Sequence, residues 1–194
     1  LVDLVQPQMT KAESAQKFGI DLRRKIVALL PGSRKAEIDH CLPVLLETAK
    51  KIEAAFPGTQ FLLPASEEAR RRRPALTDHF TKIGLFAVAL EDMDYDALQC
   101  AEAAAAVSGT ATLELALLGI PLVVFYRAGL AGWLQYEIAR RTTVPTQFFS
   151  LPNLVMNRRV VEEFMQYQAS PTNLATEVVA ILSDEDKRAR IKDD

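Results

Sequence analysis

Histidine and cysteine are scarce in this chain, with two of each among 194 residues, and tryptophan occurs once. Cys41 and Cys100 lie far apart, match no metal-binding spacing and are too few for a disulfide framework, so reduced thiols in a cytosolic protein are expected. With only His40 and His79 to draw on, no zinc site of a familiar kind is expected. An excess of one charge is also missing. Lys and Arg number 23 against 25 Asp and Glu, a net of −2, and without a strong positive field a nucleic-acid partner is not expected. No apolar run approaches the roughly 18 residues of a membrane-crossing helix, and no secretory leader is evident, which leaves only surface association with a bilayer open. Neither GxxxxGK[ST] nor GxGxxG occurs, so neither a P-loop nor a dinucleotide fingerprint is present.

What is present is a foldable core, 49% hydrophobic residues, arranged as short apolar runs alternating with amphipathic stretches. A lead-in of residues 1–24 carries a capping box, Thr10 with Glu13, and a helix stop at Gly19. Strands are then expected at Ile26–Leu30, 60–63, 85–90, Ala103–Val107 and Leu122–Tyr126. Between them, helices are expected from about 35 to 56, from about 66 to 80, around 95–100 and after Ser108. Pro43 removes an N–H inside the first long helix and predicts a kink there. Beyond Arg127 the pattern reads as a helix at 130–141, a loop through 150–153 and two or three closing helices. The expected fold is therefore α/β, a Rossmann-like parallel sheet with helices on both faces, spanning 25–150, with C-terminal helices at 151–194 packed on it.

Two turns stand out chemically. The segment SGTATLE follows a strand and opens a helix, so Ser108, Gly109 and Thr110 present backbone N–H groups suited to a phosphate. Glu114, four residues after Thr110, faces the same side, where its carboxylate suits a sugar hydroxyl, although an acid in a first helical turn also complements the helix dipole with no ligand. The turn at 31–34 adds Gly32 and Ser33 as N–H donors and Arg34 as a planar, permanently charged fork. Ligands of open parallel sheets bind outside the carboxyl ends of the strands, and both turns fall there. Together they predict a phosphorylated ligand, with nucleotide sugars the favoured class.

Other signals have plainer readings. Asp92, Asp94 and Asp96 form an acidic run ahead of a short helix and read as capping and solvation more than as a metal site. The basic run at 70–73 reads as the solvated face of a helix. Leu130, Trp133, Leu134 and Ile138, with Arg140 and Arg141 nearby, form a stripe that suits core packing better than a bilayer surface.

Three motifs in order carry a resemblance: PGSRKAEIDHCLP at 31–43, SGTATLE at 108–114 and SLPNLVMNRRVVEEFMQ at 150–166. Together they resemble lipid A disaccharide synthase, over essentially the whole chain but only the C-terminal half of that enzyme. The resemblance implies a GT-B fold, of which this chain is the C-terminal, UDP-sugar-binding domain and from which the N-terminal acceptor domain is absent. It implies that Gly32, Ser33 and Arg34 contact the diphosphate, that Ser108, Gly109 and Thr110 wrap it, and that Glu114 holds the ribose. Asn153 and Arg158 match positions lining the family's cleft, and Arg34 with Asn153 are the implied catalytic residues. The implied reaction is an inverting transfer from UDP-2,3-diacylglucosamine to the 6-hydroxyl of 2,3-diacylglucosamine 1-phosphate, with no metal and no cofactor and with the general base in the absent half. The implied setting is cytoplasmic, with contact with the inner-membrane surface and a homodimer as further partners. Departures occur at Glu162, where the family has Pro before its Glu, and at Glu102, where it has Asp. A different UDP-sugar transferase, a UDP-sugar epimerase and a non-catalytic nucleotide-binding module are the competing readings.

Overall fold

The computed structural model describes residues 4–65, 76–129 and 147–193. In chain order its elements are α1 (Lys11–Phe18), β1 (Ile26–Leu30), α2 (Lys35–Ala55), β2 (Gln60–Ala65), α3 (Leu76–Thr81), β3 (Phe86–Glu91) and α4 (Tyr95–Leu98). They continue as β4 (Ala103–Val107), α5 (Thr110–Leu117), β5 (Leu122–Tyr126), α6 (Leu151–Met156), β6 (Glu162–Met165), α7 (Pro171–Ser183) and α8 (Glu185–Asp193). All six strands pair in parallel, in the order β3-β2-β1-β4-β5-β6. The order reverses between β1 and β4, which opens a crevice at their carboxyl ends.

Strand periodicity divides the core into two layers. In β1, Val27 and Leu29 face a layer built with Ile38, Leu45 and Ile52 of α2 and with Val178 and Ile181 of α7. Ile26, Ala28 and Leu30 face the other layer, with Leu98, Leu115 and, from the lead-in, Ala15 and Ile20. The lead-in is thus part of the core, held by the predicted capping box at Thr10 and Glu13 and by Gly19 in the left-handed region. The all-buried strands β1 and β4 lack the alternation of a half-exposed sheet because helices cover both faces. α2 runs unbroken through Pro43, since eight buried residues, among them Ile38, Leu45 and Ile52, hold it against the sheet. At about 1.5–3 kcal/mol for each fully buried aliphatic chain, that packing outweighs the roughly 3 kcal/mol a helical proline costs.

Two expectations need correction. Residues 162–165 form a strand, β6, paired with β5 through Val123↔Glu162 to Tyr126↔Met165, where helix was expected. Its two glutamates hid it: on an edge strand charged side chains are tolerated and protect against further pairing. The sheet therefore extends past residue 150, and the expected boundary there does not separate sheet from helices. The SLPN segment also differs, since Ser150 precedes α6 directly and Asn153 lies inside that helix rather than in a loop. The helix expected at 130–141, its apolar stripe, the basic run at 70–73 and the first part of the helix expected from 66 lie outside the described residues. Among the described residues, no helix is long and apolar enough to cross a membrane.

Candidate functional site

At the reversal between β1 and β4 a cavity of about 400 Å³ opens at the strands' carboxyl ends. Both turns foreseen in the sequence border it: Gly32, Ser33 and Arg34 on one side, and Ser108, Gly109, Thr110 and Glu114 on the other. Leu30, Pro64, Met93, Val107 and Ala111 add apolar lining, and Glu37 and Asp92 add two further carboxylates.

The two turns are built differently. In the first, the Glu37 carboxylate accepts the backbone N–H groups of Ser33 (3.1 Å) and Arg34 (3.2 Å) through one oxygen and the Arg34 guanidinium (3.2 Å) through the other. Arg34 is the N-cap of α2 and Glu37 its third residue, so this is a capping interaction supplied from within the helix. Gly32 sits at φ +94°, and a Cβ there would lie 2.7 Å from a Glu37 carboxylate oxygen and 2.8 Å from the Glu37 Cβ. The glycine is demanded twice, by its backbone conformation and by the close approach of Glu37. Sequence reasoning offered the N–H groups of this turn to a ligand. The structure gives those of Ser33 and Arg34 to Glu37, a residue the sequence reading passed over although its three-residue spacing from Arg34 was visible. The Arg34 side chain stays 83% exposed, against 11% for Glu37, and so remains available at the mouth of the cavity.

The second turn carries no such internal anion among its described contacts. Ser108 is fixed at both ends, its N–H donating to the Phe125 carbonyl (2.9 Å) and its hydroxyl to the Phe149 carbonyl (3.1 Å). Gly109 is extended, at φ 167° and ψ −173°, and a Cβ there would meet no atom within 4 Å. Thr110 and Ala111 open α5, where first-turn N–H groups have no intrahelical acceptor, and both line the cavity. Glu114, one turn further on, accepts the Tyr95 hydroxyl at 2.8 Å. Burial first, and then this hydrogen bond, push the Tyr95 phenol up to about 12, so it remains a proton donor at any ordinary pH.

Asn153 and Arg158 stand apart from the cavity lining. Asn153 is fully buried. Its amide nitrogen donates to the Val161 carbonyl (2.9 Å) and to Glu163 (2.8 Å), and its oxygen accepts the N–H groups of Val160 (2.7 Å) and Val161 (3.0 Å). The direct cleft contact implied for Asn153 is not made here, because neighbouring backbone and Glu163 take up its amide. Glu163 also accepts the N–H groups of Phe149 and Ser150 and the Ser150 hydroxyl. This network fixes residue 149, to whose carbonyl Ser108 is tied, so it supports the second turn from behind. Arg158 lies in the exposed stretch between α6 and β6. The departure at Glu102 falls elsewhere: Glu102 pairs with Lys25 at 2.9 Å, at the opposite, amino end of the strands.

Two of the three residues of the acidic run serve local architecture, while Asp92 lines the cavity. Asp94 caps α4 by accepting the Ala97 N–H at 3.1 Å, and Asp96 accepts the N–H groups of Gln8 and Met9 in the lead-in. Among the described residues, no group of three His, Cys, Asp or Glu is disposed to hold a metal ion. Cys41 and Cys100 are free and buried, and burial pushes the Cys41 thiol up to about 11.

A six-stranded parallel sheet with a cavity at its strand reversal, walled by two strand–turn–helix junctions, defines a Rossmann-type α/β domain. Solved structures, a glycosyltransferase among them, share that fold. The E. coli ADP-heptose lipopolysaccharide heptosyltransferase II superposes with a TM-score of 0.65 at 15% identity, over 93% of this chain and 54% of that one. Anabaena Alr3699/HepE, solved in complex with UDP-glucose, superposes with a TM-score of 0.61 at 16% identity, over 98% and 48%. The sequence specifies the family: all of residues 1–194 match lipid-A-disaccharide synthetase (LpxB), and the chain belongs to it. The lipid-A-disaccharide synthase of Geobacter metallireducens is 38% identical over 189 residues, covering 95% of this chain and 46% of the relative. That of Gloeothece citriformis is 37% identical over 196 residues, covering 100% and 50%. The chain thus spans about half the length of the curated relatives it matches.

Proposed function

We propose that this chain is the donor-binding half of an inverting glycosyltransferase that joins UDP-2,3-diacylglucosamine to 2,3-diacylglucosamine 1-phosphate, giving lipid A disaccharide and UDP. The observation that carries this reading is the cavity at the strand reversal, which places a cation, Arg34, and a carboxylate, Glu114, on opposite turns of one pocket in a chain of the lipid-A-disaccharide synthetase family.

The chemistry follows from the charges. Transfer leaves negative charge on the departing β-phosphate, and preorganised donors aimed at that oxygen are worth about 2.7–4 kcal/mol each. Arg34 supplies one such donor, and the first turn of α5, at Thr110 with Gly109 before it, supplies backbone N–H groups at a positive helix end, while Ser108, whose own N–H goes to Phe125, holds the turn in place. Gly32 and Ser33 shape the facing wall. A phosphate against Glu114 would be repelled, so the diphosphate lies toward the turn and the ribose toward Glu114, whose carboxylate accepts sugar hydroxyls. Asn153 acts by positioning, holding the segment that ties down Ser108, and Arg158, in the stretch leading into the amino end of β6, is assigned no contact with the ligand. The base that deprotonates the acceptor 6-hydroxyl comes from the half of the enzyme outside this chain. The acylated acceptor places the working enzyme at the cytoplasmic surface of the inner membrane, and a homodimer is its proposed assembly.

Calorimetric titration of UDP into this chain, repeated with Arg34→Ala and Glu114→Ala, tests the assignment. A drop of tenfold or more in each variant is expected, and unchanged affinity in both overturns the site. Adding the separately produced N-terminal half restores turnover with UDP-sugar and acceptor if the transferase reading holds.

A further inference from the structure

The short helix α4 is held in place by more contacts than its four residues would suggest. Asp94 caps it, Asp96 accepts the N–H groups of Gln8 (2.6 Å) and Met9 (2.9 Å), and the Gln99 amide donates to the Met9 carbonyl (2.9 Å) and the Ser14 hydroxyl (3.1 Å). Ala97 and Leu98 are buried in the core layer that also takes Ala15 and Ile20. The lead-in and the sheet thereby fix the backbone of Tyr95. From that fixed base the Tyr95 hydroxyl donates to Oε2 of Glu114 at 2.8 Å. Among the described residues, this is the side-chain hydrogen bond that the Glu114 carboxylate receives.

A glutamate in an exposed helical turn samples several rotamers, and each hydroxyl it captures costs the entropy of stopping that motion. A carboxylate with one oxygen already engaged by a fixed phenol has its plane set, and Glu114 lines the cavity. We infer that Tyr95 is a positioning residue that orients Glu114 for the ribose hydroxyls and so sets the preference of this site for ribonucleotides over 2′-deoxyribonucleotides. The inference rests on the proposed placement of the ribose at Glu114. The raised affinity of Tyr95 for its proton is consistent with it, because the phenol then donates without titrating. A site that hydrogen-bonds a hydroxyl discriminates strongly against the analogue lacking it, since its own buried polar group is left unpaired. Loosening Glu114 weakens that discrimination while leaving the phosphate contacts alone.

The experiment is equilibrium binding of UDP and of 2′-deoxy-UDP to the chain and to its Tyr95→Phe and Glu114→Ala variants, with melting temperature recorded for each. Tyr95→Phe keeps the ring and its packing. Expected are a preference of at least tenfold for UDP in the unaltered chain and a threefold or larger loss of that preference in Tyr95→Phe. The loss should come from weaker UDP binding, with 2′-deoxy-UDP affinity and melting temperature held. An unchanged preference in Tyr95→Phe, with the preference lost in Glu114→Ala, overturns the role of Tyr95 alone. A preference that survives Glu114→Ala removes the ribose placement itself, and the inference with it.

Discussion

The two turns at the strand reversal look alike in sequence, each a strand end followed by small residues and a helix, yet one is closed by its own protein and the other is open. At 31–34 the Glu37 carboxylate sits on the N–H groups of Ser33 and Arg34, so the anion that such a turn attracts is already supplied. At 108–110 the side-chain and backbone bonds run backward, from Ser108 into Phe125 and Phe149, and leave the start of α5 turned toward the cavity. In the proposed reading the tasks differ accordingly: the first turn contributes a side-chain cation, and the second contributes backbone donors. Their glycines differ to match, Gly32 being required by the fold and Gly109 only where something approaches from outside.

The largest effect is expected from removing the support behind the second turn. Glu163→Ala strips the acceptor from Ser150, Phe149 and Asn153 together and should cost about 3 kcal/mol in urea unfolding, with Glu163→Gln costing less. Next comes Gly32→Ala, which forces a side chain to φ +94° and into Glu37; a loss of about 1–3 kcal/mol is expected by the same measurement. An alkaline titration sharpens the first-turn side, where Cys41 lies one helical turn beyond Glu37. Its thiol is raised from about 9 to about 11 by burial, so the folded state keeps a proton that the unfolded chain has already lost. Stability is therefore present in full below pH 9 and declines as pH rises toward 11, at up to about 1.4 kcal/mol per pH unit from this group. Cys41→Ala should flatten that decline, read as the difference in urea midpoint between pH 8.5 and pH 10.5. The smallest effect on folding is expected for Gly109→Ala, whose extended backbone and empty surroundings predict a change within about 0.5 kcal/mol.

Much of this arrangement was legible before folding. Five of the six strands follow from apolar runs bounded by turn residues, and the reversal-point cavity follows from placing two phosphate-friendly turns at strand ends. What was not legible were tertiary partnerships. β6 is masked by Glu162 and Glu163, whose charges disguise an edge strand, and Glu163 finds its purpose only when α6 packs beside it. Asn153 matches the family motif, yet its full burial depends on Val160 and Val161 folding over it. Glu37 and Tyr95 sit within or beside recognisable segments, but no periodicity shows that one fills a turn and the other grips Glu114.

The most direct test of this division of labour is calorimetric titration of UDP into the Gly109→Ala and Glu37→Gln variants, with folding checked by melting. A methyl group at residue 109 should lower UDP affinity by tenfold or more in a protein of unchanged stability. Glu37→Gln, which leaves the second turn intact, should not lower it. Tight binding retained in Gly109→Ala, with binding lost in a folded Glu37→Gln protein, would contradict the assignment of the diphosphate to the second turn.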